Sequence, residues 1–200
     1  MFKKIIFISA IIFLFISSSY AVEVGGVDFD IPDEYLGGDG VGSGYRFENK
    51  FSIYDISDDV PDQHGFWVNS ADYHKNLKIN NHPCEFYYGY NTFLMDNFSH
   101  VVFPSNNCIY MISWQGNNIT DEIRNMVSNA PASNISDSDF HKLLNDSVKV
   151  YKAERADKLS QDAIYNQYEA ELKSKHSQSG HNDWKDNRYL IYYYNRMHNS

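Results

Sequence analysis

The sequence lacks the short motifs that mark common catalytic and metal-binding sites. It contains no H-E-x-x-H motif, no G-x-S-x-G motif and no glycine-rich loop that ends in Lys-Ser or Lys-Thr. Basic residues are also scarce, because 17 Lys and Arg stand against 26 Asp and Glu, for a net charge of −9. Since affinity for nucleic acids depends on basic side chains, the composition argues against a nucleic-acid partner. We therefore expect a non-catalytic protein rather than an enzyme.

Residues 1–21 are typical of a secretory signal peptide. Two lysines precede an apolar run at residues 5–16, and Ser19 and Ala21 supply the small side chains of a cleavage site. The apolar run is shorter than the roughly 20 residues that a membrane-spanning helix needs. We therefore expect a secreted or cell-surface protein, with membrane attachment as the alternative if the segment is not cleaved.

Cysteine is rare, and Cys84 and Cys108 are the only two. An even pair in an exported chain is typical of a disulfide, because oxidising compartments allow the bond to form. Such a bond would stabilise the fold by roughly 3 kcal/mol in the chain-entropy model. Two buried free thiols are the alternative. A zinc site is disfavoured, since His82 and Cys84 have no second pair of ligands nearby in the sequence.

Charge and pattern divide the chain after the signal segment. Residues 22–135 carry 5 basic and 16 acidic side chains, whereas residues 136–200 carry ten of each. Aromatic residues are abundant, at 16% of the chain, so the first part can bury a core. We predict a domain at residues 22–131, a helical extension at 136–178, and a polar and aromatic tail at 179–200.

The first domain shows mostly strand patterns. Apolar side chains alternate at residues 45–53, residues 66–68 form a short apolar run, and residues 101–114 indicate a hairpin across a turn at 104–107. Thr120 is a favoured helix N-cap, and apolar residues follow it at helical spacing. The pattern therefore predicts an α+β domain whose antiparallel sheet is covered by a short helix at 121–129.

The helical extension has no Gly or Pro between residues 136 and 179, which predicts one long helix or a helical pair. Its apolar stripe is thin and contains several alanines. We therefore expect it to bind a protein partner or a second copy of the chain. The stripe consists of Phe140, Leu144, Val148, Tyr151, Ala156, Leu159 and Ala163.

Residues 24–35 read V-G-G-V-D-F-D-I-P-D-E-Y and directly follow the predicted signal peptide. This stretch resembles the opening of small secreted proteins of methanogenic archaea, whose domain is similar to the PsbP family. The resemblance covers about residues 22–131. It implies an α/β sandwich with a central antiparallel sheet and helices on its faces, and a non-catalytic accessory or binding domain. It supplies no ligand motif, so it implies no metal site.

The densest acidic cluster predicts a weak calcium site, because several carboxylates on one loop offer the oxygen ligands that Ca²⁺ prefers. A solvated acidic loop is the alternative, and we expect no other cofactor. The candidate ligands are Asp55, Asp58, Asp59 and Asp62.

Exposed aromatic side chains predict an alternative function as a carbohydrate-binding module, because Trp and Tyr rings stack on sugars. Trp67 and Trp114 are the candidate ligand-binding residues. Four N-x-[ST] motifs are candidate glycosylation sites in an exported protein. They begin at Asn97, Asn118, Asn134 and Asn145.

Overall fold

The computed structural model describes residues 20–91 and 95–179. The predicted signal peptide lies almost entirely outside these residues, and the predicted tail lies outside them from residue 180. The chain divides into two units, residues 1–151 and residues 152–200. The described strands are β1 (Ala21–Val24), β2 (Val27–Asp30), β3 (Asp39–Val41), β4 (Gly44–Phe47), β5 (Phe51–Asp55), β6 (Tyr73–Ile79), β7 (His82–Asn91), β8 (Asp96–Ser105) and β9 (Cys108–Gln115). The described helices are α1 (Val60–Asn69), α2 (Asp121–Asn129) and α3 (Asp137–Ser179).

The first unit is built on a seven-stranded antiparallel sheet in the order β3-β4-β5-β9-β8-β7-β6. Strands β1 and β2 form a separate antiparallel hairpin. Its two-residue turn is Gly25-Gly26, and both glycines have positive φ. The tight turns that match the twist of a β-hairpin require such φ angles. The α+β class and the antiparallel sheet are therefore as predicted.

The sheet has a buried core on each face. On the hairpin face, the β1–β2 hairpin and α2 pack on side chains such as Phe103 and Ile112. On the helix face, α1 and the first turns of α3 pack on side chains such as Val102 and Met111. Neighbouring residues of β8 and β9 thus enter different cores, because successive side chains of a strand point to opposite faces. The sheet is therefore sandwiched between the hairpin with α2 and the pair α1 with α3.

Helix α2 and the β8–β9 hairpin confirm the sequence patterns. The Thr120 hydroxyl accepts a hydrogen bond from the backbone N–H of Ile123 at 3.3 Å, and Ile123, Met126 and Val127 are buried. The β8–β9 turn is tighter than predicted, because Ser105 already pairs with Cys108. Asn106 occupies the left-handed conformation in this turn, with φ 53°, which asparagine adopts more easily than most residues.

Residues 66–68 were predicted among strands, and this is wrong because they belong to α1. The helix begins directly after Asp59 and has Pro61 in its first turn, where a proline costs no backbone hydrogen bond. The buried residues of α1 are Val60, His64 and Gly65, which share one helical face. Three consecutive apolar residues cannot distinguish a strand from such a helix.

Helix α3 is a single helix that begins after Ser136. The Ser136 hydroxyl accepts from the backbone N–H of Asp139 at 3.1 Å and donates to the Asp139 carboxylate at 2.7 Å, which caps the helix start. Phe140 and Leu144 are buried in the first unit. In the second unit, the described side chains at residues 152–164 are all exposed. None of the described helices is long and apolar enough to span a membrane.

Candidate functional site

The two tryptophans predicted as sugar-stacking residues are not exposed together. Trp114 is buried on the hairpin face, and its indole N–H donates to the backbone carbonyl of Asn118 at 3.0 Å. Trp67 is half-buried on α1, and its ring lies 4.5 Å from that of His100. The prediction for Trp114 is therefore wrong, because a ring enclosed on both sides cannot stack on a ligand.

Three of the four acidic residues predicted as calcium ligands take part in local structure, and the fourth, Asp58, is exposed in the turn before α1. The Asp55 carboxylate accepts from the backbone N–H and hydroxyl of Ser57, and the Asp59 carboxylate accepts from Gln63 at 3.1 Å. Asp62 lies in the first turn of α1, where a negative charge stabilises the helix dipole. Within residues 20–91 and 95–179, no group of three or more His, Cys, Asp or Glu is arranged to hold a metal ion. The calcium site therefore receives no support from the structure.

The predicted disulfide between Cys84 and Cys108 is absent, and both residues are free thiols. Cys84 lies on β7 and Cys108 on β9, with β8 between them. Neighbouring strands are about 4.8 Å apart, so the two Cα atoms are separated by more than the roughly 7 Å that a disulfide can bridge. Burial raises the pKa of the Cys84 thiol to about 12, which makes it unreactive.

Three of the four candidate glycosylation sites are exposed, namely Asn118, Asn134 and Asn145. Asn97 is half-buried in β8, where its carbonyl accepts from the backbone N–H of Gly116. The three exposed sites remain predictions, and Asn97 is the least accessible of the four.

The most unusual polar feature is a buried carboxylate on the helix face. Glu85 lies on β7 with only 6% of its side chain exposed. Its Oε1 atom is 3.0 Å from Nε2 of His64 on α1 and 2.5 Å from Nε2 of His74 on β6. The His64 ring is completely enclosed, and its Nδ1 atom is 2.8 Å from the Ser147 hydroxyl on α3. We call His64, His74, Glu85 and Ser147 the Glu85 cluster.

The environment of Glu85 keeps its carboxylate ionised. Burial raises the pKa of this carboxyl, but the hydrogen bonds and charges of His64 and His74 lower it by more, so its pKa lies below the ordinary value. A buried carboxylate is costly unless it is paired and hydrogen-bonded. The imidazoles of His64 and His74 provide the Glu85 carboxylate with both the hydrogen bonds and the charge pairing.

The order Ser147–His64–Glu85 resembles the arrangement of a hydrolytic triad, but its nucleophile is not available. The Ser147 hydroxyl is buried and lies 2.7 Å from the backbone carbonyl of Leu144, to which it donates. A catalytic serine needs an accessible oxygen next to a space for the substrate. The cluster therefore connects α1, α3 and the sheet, and it does not expose a nucleophile.

A second enclosed histidine lies on the neighbouring strand of the same face. His100 on β8 is bonded through Nδ1 to the Ser113 hydroxyl at 2.8 Å, and its ring stacks on Tyr87 at 5.0 Å. Burial lowers the pKa of His100 to about 3, so the ring is neutral at ordinary pH. This histidine is part of an aromatic core rather than a ligand.

Exposed aromatic rings occur at the β6–β7 end of the hairpin face. Tyr73 and Tyr88 are cross-strand partners whose rings stack at 5.1 Å, and Tyr90 follows on the same side of β7. Tyr73 is 41% exposed and Tyr90 is 55% exposed. We call Tyr73, Tyr88 and Tyr90 the tyrosine row. The exposed rings of this domain that could stack on a sugar are therefore tyrosines of β6 and β7 rather than the two tryptophans.

One feature of the sequence indicates the Glu85 cluster. Glu85 stands inside the otherwise apolar and aromatic stretch of residues 84–88, at a position that alternation places in a core. Its partners could not be identified, because His64, His74 and Ser147 come from three other elements. Comparisons of the chain with protein-family models, with curated proteins and with solved structures found no match.

Proposed function

We propose that the chain is an exported, non-catalytic interaction protein that associates with a second copy of itself through the second half of α3. The supporting observation is that two large apolar side chains in this half of the helix are exposed, Leu159 by 59% and Ile164, which lies beside Ala163, by 66%. Large apolar side chains on a helix are normally covered by another element. Export follows from the predicted signal peptide, and a PsbP-like fold accords with a sheet covered on both faces.

The spacing of this face fits helix pairing. Alternating steps of three and four residues connect the exposed positions Ala156, Leu159, Ala163, Asn166 and Ala170, and this is the repeat of a coiled-coil seam. The seam is thin, and an asparagine at such a position fixes the register at a cost in stability. The ten basic and ten acidic residues of 136–200 balance, so two copies would not repel each other. We therefore expect a weak and concentration-dependent dimer.

Light scattering coupled to size exclusion, run over a range of protein concentrations, tests this function. We expect the mass to rise toward a dimer with concentration, and the double variant Leu159→Gln, Ile164→Gln to shift the midpoint at least about tenfold upward. Met95→Gln is the matched control, since Met95 is an exposed apolar residue of the first unit. A wild-type protein that stays monomeric at every concentration would refute self-association.

The tyrosine row supports carbohydrate binding as a second candidate function. Tyr73 and Tyr90 are exposed on one sheet face, and the three rings carry hydroxyls that can hydrogen-bond to a sugar. We expect the wild-type protein to bind polysaccharides on a glycan array. The double variant Tyr73→Ala, Tyr90→Ala should lose this binding. Phe66→Ala is the control, because Phe66 is an exposed ring of α1. Equal binding by both variants would exclude the tyrosine row.

A further inference from the structure

The Glu85 cluster joins four elements of the first unit at one carboxylate. Glu85 belongs to β7, His74 to the neighbouring strand β6, His64 to α1 and Ser147 to α3. Phe140 and Leu144 of α3 are buried in the core on the same face, and the His64 ring lies 5.9 Å from that of Tyr87. The polar link between α1, α3 and the sheet therefore passes through the imidazole of His64.

Hydrogen counting shows that His64 keeps its partners with one or two protons. When the ring is neutral, Nε2–H donates to Glu85, and the Ser147 hydroxyl turns away from the Leu144 carbonyl to donate to Nδ1. When the ring is an imidazolium, Nδ1–H donates to Ser147, which then donates to the Leu144 carbonyl at 2.7 Å. Either state is satisfied as long as Glu85 is ionised. The carboxylate is thus the group on which the cluster depends.

The titratable groups around the cluster are few. His64 and His74 face Glu85 from α1 and β6, and from α3 the uncharged Ser147 contacts His64 while Tyr151 packs on Gly65. Tyr87 follows Glu85 on β7, and burial raises its pKa well above the ordinary value, so it stays neutral. His100 of β8 stacks on Tyr87 and Trp67. Glu85 is therefore the counter-charge that these contacts give to the enclosed His64.

Acid removes that counter-charge while it adds positive charge. Below about pH 5 an imidazole ordinarily carries its second proton, and a carboxyl becomes neutral at lower pH. Once Glu85 is protonated, the Glu85 cluster holds no negative charge that could compensate a positive charge on the enclosed His64 ring. An unpaired buried charge is among the most destabilising features that a core can contain.

We propose that the Glu85 cluster is an acid-released latch, in which protonation of Glu85 frees α1 and the first turns of α3 from the sheet while the hairpin-face core stays closed. The cluster lies on the helix face of the sheet, and the hairpin-face core is a separate group of apolar side chains, so we expect the two cores to respond separately. The released surface would include the apolar side chains of Val60, Phe140 and Leu144, which are buried in the closed protein.

Hydrogen exchange of the whole protein, corrected for the intrinsic pH dependence of amide exchange, tests this proposal. Between about pH 6 and pH 3 we expect amides of α1 and of residues 140–147 to lose protection at least about tenfold before the amides of α2. His64→Gln keeps a donor and an acceptor but carries no charge, so this early loss should disappear. Glu48→Gln is the control, since Glu48 pairs with Lys50 on the surface.

Two results would overturn the latch. One is simultaneous loss of protection on both faces of the wild-type sheet, and the other is an unchanged early loss in His64→Gln. If His64→Gln does not fold, Ser147→Ala replaces it. In that variant residues 140–147 should be less protected than in the wild type already at about pH 6, while α1 keeps its acid step. If residues 140–147 of Ser147→Ala were as protected from exchange as in the wild type, the proposed link between the Glu85 cluster and α3 would be overturned.

Discussion

Gly65 of α1 lies directly against Tyr151 of α3. A Cβ atom added at Gly65 would come within 2.5 Å of the Tyr151 Cβ, which is well inside van der Waals contact. The absence of a side chain at this position therefore lets the two helices approach each other. Gly65 directly follows His64 in α1, and Tyr151 lies one turn after Ser147 in α3, so close helix packing and the Glu85 cluster reinforce each other.

Replacement of this glycine should destabilise the protein although alanine is the better helix former. Alanine gains about 1 kcal/mol in helix propensity, but overpacking at a contact that cannot yield costs typically about 1–3 kcal/mol. We expect Gly65→Ala to lower the urea midpoint of unfolding. Gly40→Ala is the control, since nothing lies within 4 Å of a Cβ at that position. A midpoint above that of the wild type would contradict the close approach.

The cap of α2 makes a separate contribution on the other face of the sheet. The Thr120 hydroxyl accepts the backbone N–H of Ile123, and a side-chain cap of this kind contributes about 1 kcal/mol. We expect Thr120→Ala to lose that amount in the free energy of unfolding, measured by urea titration. Thr120→Ser retains the hydroxyl and should stay close to the wild type. Equal losses in both variants would show that the methyl group, rather than the cap, matters.

The free thiols lead to a chemical prediction. We expect the mass of the blocked protein to be the same with and without prior reduction, and Cys108 to label before Cys84, which is buried. Burial raises the pKa of the Cys108 thiol, and the neighbouring Asp55 raises it further. Asp55→Asn should therefore speed the labelling of Cys108. Urea-unfolded protein, in which both thiols label, is the control. Labelling that appears only after reduction would show that the disulfide exists.

Local patterns predicted what local physics determines. The alternation of residues 101–114, the Thr120 cap and the apolar spacing that follows it each depend on a few neighbouring residues, and the structure agrees with them. The strand prediction for residues 66–68 is wrong because these residues are helical as a continuation of the helix that starts at Asp59 and Pro61. Their own three side chains do not determine that conformation.

The Glu85 cluster and the separation of the cysteines depend on long-range register. Strand β9 pairs with both β5 and β8, and β8 lies between the two cysteines. No pattern within the β7 or β9 sequence fixes that order. His64 reaches Glu85 only because α1 crosses the same face that β7 presents. Such contacts follow from the topology of the whole sheet, which the spacing of residues does not reveal.

His100 predicts a pH dependence of stability that is distinct from the latch. Its pKa is lowered by burial to about 3 in the folded protein, against about 6.5 for an ordinary histidine. The unfolded chain therefore binds a proton that the folded chain does not, and stability falls as the pH drops from about 6.5 toward about 3. Within that window each pH unit costs up to about 1.4 kcal/mol.

A paired substitution isolates this contribution. His100→Phe with Ser113→Ala removes both partners of the buried hydrogen bond, so no unpaired polar group remains. We expect urea unfolding of this variant to show a shallower decline of stability below about pH 6.5 than the wild type. Ser113→Ala alone keeps the imidazole and should keep the wild-type slope. If the paired variant declined as steeply as the wild type, the acid sensitivity would have to come from other groups, with Glu85 and its two histidines as the next to examine.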